Sequence, residues 1–64
     1  MRRDDLHKGM TVDEVDDLLG RPDAISQRSE GSLKVSISTY RTRDRNVTAE
    51  FVEGVLIRYT ITSP

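Results

Sequence analysis

The first apolar pattern along the chain is that of a short amphipathic helix. Within residues 11–20, apolar residues recur at helical spacing and so share one face. Thr11 and Glu14 stand three residues apart, the spacing of a capping box that satisfies free backbone N–H groups at a helix start. Gly20 can adopt the left-handed conformation that ends a helix, and Pro22 stops its continuation. The predicted apolar face consists of Val12, Val15, Leu18 and Leu19.

In the following two thirds of the chain the apolar spacing changes to alternation, which predicts strands with one buried and one solvated face. Three strands are indicated, at residues 33–38, 47–51 and 55–62, and the more polar segment 25–29 fits a fourth. The apolar positions of the three clearer strands are expected to form the core face. They are Leu33, Val35, Ile37, Val47, Ala49, Phe51, Val55, Ile57, Tyr59 and Ile61.

Together these patterns predict an α+β fold in a single domain over residues 1–64. The helix packs on one face of a three- to four-stranded antiparallel sheet. A short helical turn at residues 4–7 precedes it and directs Leu6 to the core. The opposite face of the sheet is expected to be mostly polar, with Lys34, Ser36, Ser38, Tyr40, Thr48, Glu50, Leu56, Arg58 and Thr60.

The last turn, around Gly54, determines whether the apolar residues of the final two strands share a face. A two-residue turn would place Phe51 and Tyr59 on opposite faces, because side chains alternate along a strand. A three-residue loop of residues 52–54 pairs Phe51 with Val55 and brings the apolar residues to one side. Such loops end in a left-handed residue, so we expect a positive φ at Gly54 and damage to the hairpin from Gly54→Val.

Composition limits what so small a domain can do. The 64 residues are 34% hydrophobic and include three aromatic residues and no cysteine, so the core is thin and a disulfide framework is excluded. Little apolar surface remains for an enclosed ligand pocket. The net charge of −1 provides no overall field for attracting nucleic acid or anionic lipid.

The residues that could support catalysis or metal binding have simpler interpretations. His7 is the only histidine, and the serines lie outside any nucleophile motif. The glycines do not form a phosphate-binding loop. Asp13, Asp16 and Asp17 share a helix face at a spacing that could hold a cation, but this is also the solvated back of an amphipathic helix. We therefore expect no enzymatic activity, no cofactor and no metal site.

An arginine-rich segment is the best candidate for a functional surface. Arg41, Arg43 and Arg45 lie in a predicted loop, where guanidinium groups could meet carboxylates or phosphates. Tyr40, Leu56 and Arg58 are expected to extend this surface over the outer sheet face, since Tyr and Arg frequently anchor protein interfaces. The alternative is a small regulatory or nucleic-acid-associated protein that uses the Arg41–Arg45 loop, which the low aromatic content disfavours.

Two segments resemble a known family. The run Lys8-Gly9-Met10-Thr11 followed by Val15 and Gly20-Arg21-Pro22 is similar to the helix-start signature of the SmpA/OmlA, or BamE-like, outer-membrane assembly lipoproteins. The same signature occurs in each half of the β-lactamase inhibitory proteins. The segment around Phe51 and Gly54 resembles their closing hairpin. The resemblance implies an α+β domain that acts by binding other proteins and in which these residues, with Glu14, have structural roles.

The expected partner is another protein, with a homodimer through a sheet edge or an exchanged strand as a second form of association. Binding of nucleic acid is not favoured, and no segment is apolar enough to insert into a membrane. As written, the sequence lacks a signal peptide and a lipid-accepting cysteine, so a cytoplasmic location is expected. If the sequence is a trimmed mature form, the resemblance implies the cell envelope or outer membrane.

Overall fold

A computed structural model describes residues 6–63 of the chain. It contains one helix and four strands in the order α1, β1, β2, β3 and β4. The strands form one antiparallel sheet in which each strand pairs with its neighbour in sequence. The predicted α+β fold is confirmed, with four strands. The elements are α1 Val12–Leu19, β1 Ala24–Glu30, β2 Leu33–Arg41, β3 Asn46–Val52 and β4 Val55–Thr62.

The ends of α1 follow the sequence signals. The Thr11 hydroxyl accepts a hydrogen bond from the Glu14 N–H at 3.3 Å, and the Glu14 carboxylate accepts one from the Thr11 N–H at 2.9 Å. Gly20 has a φ of +89° and donates its N–H to the Asp16 carbonyl at 2.7 Å. Residues 4 and 5 of the predicted helical turn at residues 4–7 lie outside the described residues, and Leu6 and His7 are not helical, but Leu6 is buried as expected.

The core lies between α1 and one face of the sheet. Its centre is formed by Val15 from α1 and by side chains from β2, β3 and β4. Met10 precedes the helix cap and is buried in the same cluster, as a hydrophobic staple requires. The buried cluster consists of Leu6, Met10, Val15, Tyr40, Val47, Ala49, Phe51 and Leu56, with Val12, Leu18, Leu19 and Tyr59 packed against it.

The connection between β2 and β3 determines which β2 side chains face the helix. Arg41 pairs with Asn46, so Tyr40 lies opposite Val47 and points to the same side. The predicted facing of β2 is therefore wrong, because alternation defines two sets of residues without saying which set meets the helix. Ser36, Ser38 and Tyr40 lie on the helix-side face of the sheet, while Leu33, Val35 and Ile37 lie on the outer face.

The predicted three-residue loop between β3 and β4 is also wrong. Val52 pairs with Val55, which leaves the two-residue turn Glu53-Gly54. Both turn residues have positive φ, +53° and +83°, as a type I′ turn requires. The predicted positive φ of Gly54 is thus confirmed, although the turn is shorter than expected.

A β-bulge in β4 allows both Leu56 and Tyr59 to lie on the helix-side face of the sheet despite the short turn. Phe51 lies opposite Leu56, whereas the next residue of β3, Glu50, lies opposite Arg58. Ile57 is therefore an extra residue in β4. Beyond it, Tyr59 returns to the helix side. The predicted outward position of Leu56 is wrong because its side chain is buried, and the apolar residues Val55, Ile57 and Ile61 are exposed.

Candidate interaction surface

β1 forms one border of the sheet and is exposed along its whole length. All seven of its residues are exposed, and Ile25 has 58% of its surface accessible, the largest fraction among the exposed large apolar side chains. β1 pairs with β2 along one side, and no other described strand pairs with its second side. Among the described residues, β1 therefore presents an uncovered strand edge.

The turn at Gly31 determines which backbone groups point outward from that edge. Glu30 pairs with Leu33 across a two-residue turn, and the residues flanking such a turn are joined by hydrogen bonds. Because bonded and non-bonded pairs alternate in an antiparallel ladder, every second residue of β1 directs its N–H and C=O away from β2. These outward-directed residues are Ile25, Gln27 and Ser29.

The opposite border, at β4, is paired near its turn by the segment before α1. Leu56 donates its N–H to the Met10 carbonyl at 2.7 Å, and its own carbonyl accepts a hydrogen bond from the Gly9 N–H at 2.9 Å. Thr11 forms an isolated bridge with Val55. Leu56 is one residue from its turn, as Ser29 is from the β1–β2 turn, so equivalent positions are covered in β4 and open in β1.

Tyr40 connects the helix to β2, the strand next to the open edge. Its side chain is fully buried, and its hydroxyl donates to the Asp16 carboxylate at 2.7 Å. Burial, together with the hydrogen bond and negative charge of Asp16, raises the pKa of Tyr40 above its usual range. The predicted role of Tyr40 on the outer surface is wrong. Asp16, which the sequence placed on the solvated back of the helix, instead fixes the helix to the sheet.

A shallow polar cleft lies beside the open edge, near the turn between β1 and β2. Its volume is about 260 Å³. Four of its lining residues share the helix-side face of the sheet, beyond the part that α1 covers. The cleft is suited to a polar side chain from a neighbouring strand. Its lining consists of Gln27, Arg28, Ser29, Lys34, Val35 and Ser36.

The outer sheet face has an apolar strip at the end with the two tight turns. Val35, Val52 and Val55 lie in one cross-strand row. Val35 is buried there, with 3% of its surface accessible, whereas Leu33, farther along β2, is 47% exposed. An Arg58–Glu50 ion pair of 3.1 Å also lies on this face. Arg58 thus has the predicted outer position, in contact with an acidic residue of its own chain.

The arginine loop is short and internally bonded. The Thr42 N–H donates to the Arg45 carbonyl at 2.9 Å, and the Arg45 N–H donates to the Thr42 hydroxyl at 3.2 Å. Arg41 lies 3.6 Å from Asp23 and is exposed. Arg43 is exposed at the tip, and Arg45 is half-buried. The structure does not gather these arginines with Tyr40 and Leu56, since the last two are buried.

The three outward residues of β1 are a candidate site that the sequence did not identify. The pattern indicated a strand at residues 25–29, and an open sheet edge was expected, but strand order decides which strand lies there. The signal available was the polarity of this segment, since Ile25 is its only large apolar residue. A strand with one such residue gains little from burial and fits a sheet border.

No protein family, curated protein or solved structure matches the chain. Within residues 6–63, no helix has the length and apolar character needed to cross a membrane. The same residues contain no group of three or more acidic, histidine or cysteine side chains placed to hold a metal ion.

Proposed function

We propose that this chain is a non-enzymatic protein-interaction domain whose binding element is the open edge of β1. The observation that carries the proposal is the difference between the two borders of the sheet. Backbone groups next to the turn are bonded within the chain in β4 and directed outward in β1. An extended segment of a partner protein could therefore add a fifth strand beside β1.

The side chains around β1 are compatible with such a partner. Arg28 and Glu30 form an ion pair of 3.1 Å on the outer face, so they do not present an isolated charge that would repel a neighbouring strand. Ile25 lies on the helix-side face and would gain an apolar contact from the added strand. Main-chain hydrogen bonds would supply affinity, and the polar cleft would select the partner side chain.

The setting we propose is assembly of the cell envelope or outer membrane. It rests on the resemblance of residues 8–22 and 49–56 to the SmpA/OmlA family. The structural roles of Thr11, Glu14, Gly20 and Gly54 are consistent with that resemblance. The strand-addition mechanism does not depend on the setting, because it follows from the edge itself.

The test combines capture with a proline substitution that spares the fold. A photo-crosslinking residue at Ser29 is expected to capture a protein partner from native extract, whereas the same residue at Arg43 is not. Gln27→Pro should abolish the capture, because it removes an outward N–H that the β1–β2 ladder does not use. Arg28→Pro is the contrasting variant, since it removes an N–H bonded to β2 and should unfold the hairpin.

Strand addition also predicts a specific change in amide hydrogen exchange. In the purified complex, the N–H groups of Ile25, Gln27 and Ser29 should become protected, while those of Ser26 and Arg28 are already protected in the free chain. Capture that survives Gln27→Pro, or a complex with no new protection in β1, would refute the proposal.

A further inference from the structure

We infer that the strand received by the open edge is β1 of a second copy, paired antiparallel about a two-fold axis at Gln27. This inference rests on the proposed function, because it names the occupant of the same edge. A two-fold contact must be self-complementary, so residue i of one copy faces residue j of the other and the reverse. The registers available to β1 can therefore be compared by their length and their charges.

The register centred on Gln27 is the longest. It pairs all seven residues of β1, with Gln27 opposite Gln27 and Ile25 opposite Ser29 of the other copy. Gln27 is one of the outward-directed residues, so this central pair would exchange two main-chain hydrogen bonds. A centre at Ser26 or Ser29 shortens the paired segment, because one end of each strand extends past the other.

Charge disfavours the adjacent register, centred at Arg28. A centre at Arg28 would place two guanidinium groups directly opposite each other, which is destabilising. With the centre at Gln27, Arg28 faces Ser26 and Glu30 faces Ala24 of the other copy, so no charged residue directly opposes another. Each Arg28 also keeps its ion pair with Glu30 of its own chain.

The side chains beside the axis are suited to one another. Gln27 of the second copy would lie on the helix-side face, next to the polar cleft of about 260 Å³ whose lining includes Gln27, Ser29 and Ser36. An amide side chain can both donate and accept hydrogen bonds, so the two Gln27 side chains can bond to each other and to the serine hydroxyls. Ile25, 58% exposed in the single chain, would gain a neighbour on the same face.

The absence of cysteine from the sequence allows a direct test of the register by cross-linking. With Gln27→Cys, the two Cα atoms would be about 5.5 Å apart, within the range of a disulfide. With Ser26→Cys, they would be about 8 Å apart, beyond that range. The purified Gln27→Cys chain should therefore form a covalent dimer under mild oxidation, at least tenfold faster than Ser26→Cys.

Charge exchange at the same position provides a second test. Gln27→Lys and Gln27→Glu should each remain monomeric, because like charges would meet at the axis, and a mixture of the two should form a mixed dimer. The unmodified chain should rise from 7.3 kDa towards twice that mass between about 10 µM and about 1 mM, as expected for a small interface. Circular dichroism of the single variants controls for folding.

The outcomes separate this inference from the proposed function. A chain that stays at 7.3 kDa over this range, or equal cross-linking rates at residues 26 and 27, would overturn the two-fold pairing. If a different protein were still captured at Ser29 and capture were lost in Gln27→Pro, the proposed function would stand without the dimer. If the unmodified chain neither dimerised nor allowed capture of a protein at Ser29, the two-fold pairing and the proposed function would both be rejected.

Discussion

β1 and β4 both border the sheet, but among the described residues only β4 is paired on its outer side, and only near its turn. The start of β4 is bonded to residues 9–11, and β4 also contains the bulge at Ile57. β1 has neither feature. Uncovered edges invite pairing with other chains, and covering segments and bulges are common ways to prevent it. Among the described residues, β1 is therefore the border with an uninterrupted edge, and the proposed pairing depends on this difference.

The largest expected difference between the borders is in stability. Leu56→Ala should lower the free energy of unfolding by about 3 kcal/mol, because it leaves a cavity in the core. Ile25→Ala, on the open border, should change it by less than about 0.5 kcal/mol, since the side chain is mostly exposed. Chemical denaturation of both variants measures this, at low concentration so that association does not contribute. Similar losses would show that β1 is buried in the folded chain.

The turns next to the two borders provide the second test. Gly54→Val should cost about 2 kcal/mol, because a β-branched residue is strained at a φ of +83°. Ser32→Val is the matched change in the turn of the open border, where the φ is not positive, and should cost about 0.5 kcal/mol or less. If Gly54→Val were as mild as Ser32→Val, the type I′ assignment would be wrong.

Tyr40 marks the boundary between the covered and open parts of the sheet. Tyr40→Phe should cost about 2 kcal/mol at neutral pH, because the Asp16 carboxylate loses a hydrogen-bond donor. The folded-state pKa of Tyr40 is raised, so its contribution is complete below the unfolded pKa of about 10 and is lost as pH rises above it.

Denaturation curves at several pH values test whether the contribution of Tyr40 to stability is lost as pH rises. Between about pH 10 and 12, the unfolded state of the unsubstituted chain releases the Tyr40 proton more readily than the folded state does. Its stability should therefore fall more steeply than that of Tyr40→Phe over this interval. Parallel curves would mean that Tyr40 is not held in its neutral form by burial and Asp16.

The smallest expected effect is at the helix cap beside the covered border. Thr11→Ala should cost about 1 kcal/mol, since the Glu14 N–H loses its side-chain acceptor. Thr48→Ala, an exposed position in β3, is the control and should cost less than about 0.5 kcal/mol. Exchange of the Leu56 N–H should also become faster in Thr11→Ala, because the capped segment pairs with β4. If exchange of the Leu56 N–H were unchanged in Thr11→Ala, the helix cap would not contribute to the pairing of residues 9–11 with β4.

Features encoded within a few residues could be predicted from the sequence, and those that depend on several connections could not. The Thr11–Glu14 cap, the end of α1 at Gly20 and the positive φ of Gly54 are local. The helix-side facing of Tyr40 instead depends on the four residues between Arg41 and Asn46, which bring even-numbered β2 residues opposite odd-numbered β3 residues.

The candidate site was harder to predict than the fold for the same reason. The burial of Leu56 required both the two-residue turn and the bulge at Ile57, and alternation alone offered a three-residue loop as a simpler solution. Which strand remains open depends on the order of all four strands and on the path of residues 9–11. Only the polarity of residues 25–29 pointed towards it.

The bulge at Ile57 and the bridge from Thr11 also affect how far association can proceed. If two copies pair through β1 as inferred, each free border of the dimer is a β4 whose turn end is already bonded to residues 9–11 and whose ladder is interrupted at Ile57, which disfavours addition of a third copy. A sheet with two regular open borders can add a copy at each, and growth continues into a ribbon. The pairing at the start of β4 would then do more than stabilise one chain, because together with the bulge it would favour a dimer over a continuous ribbon.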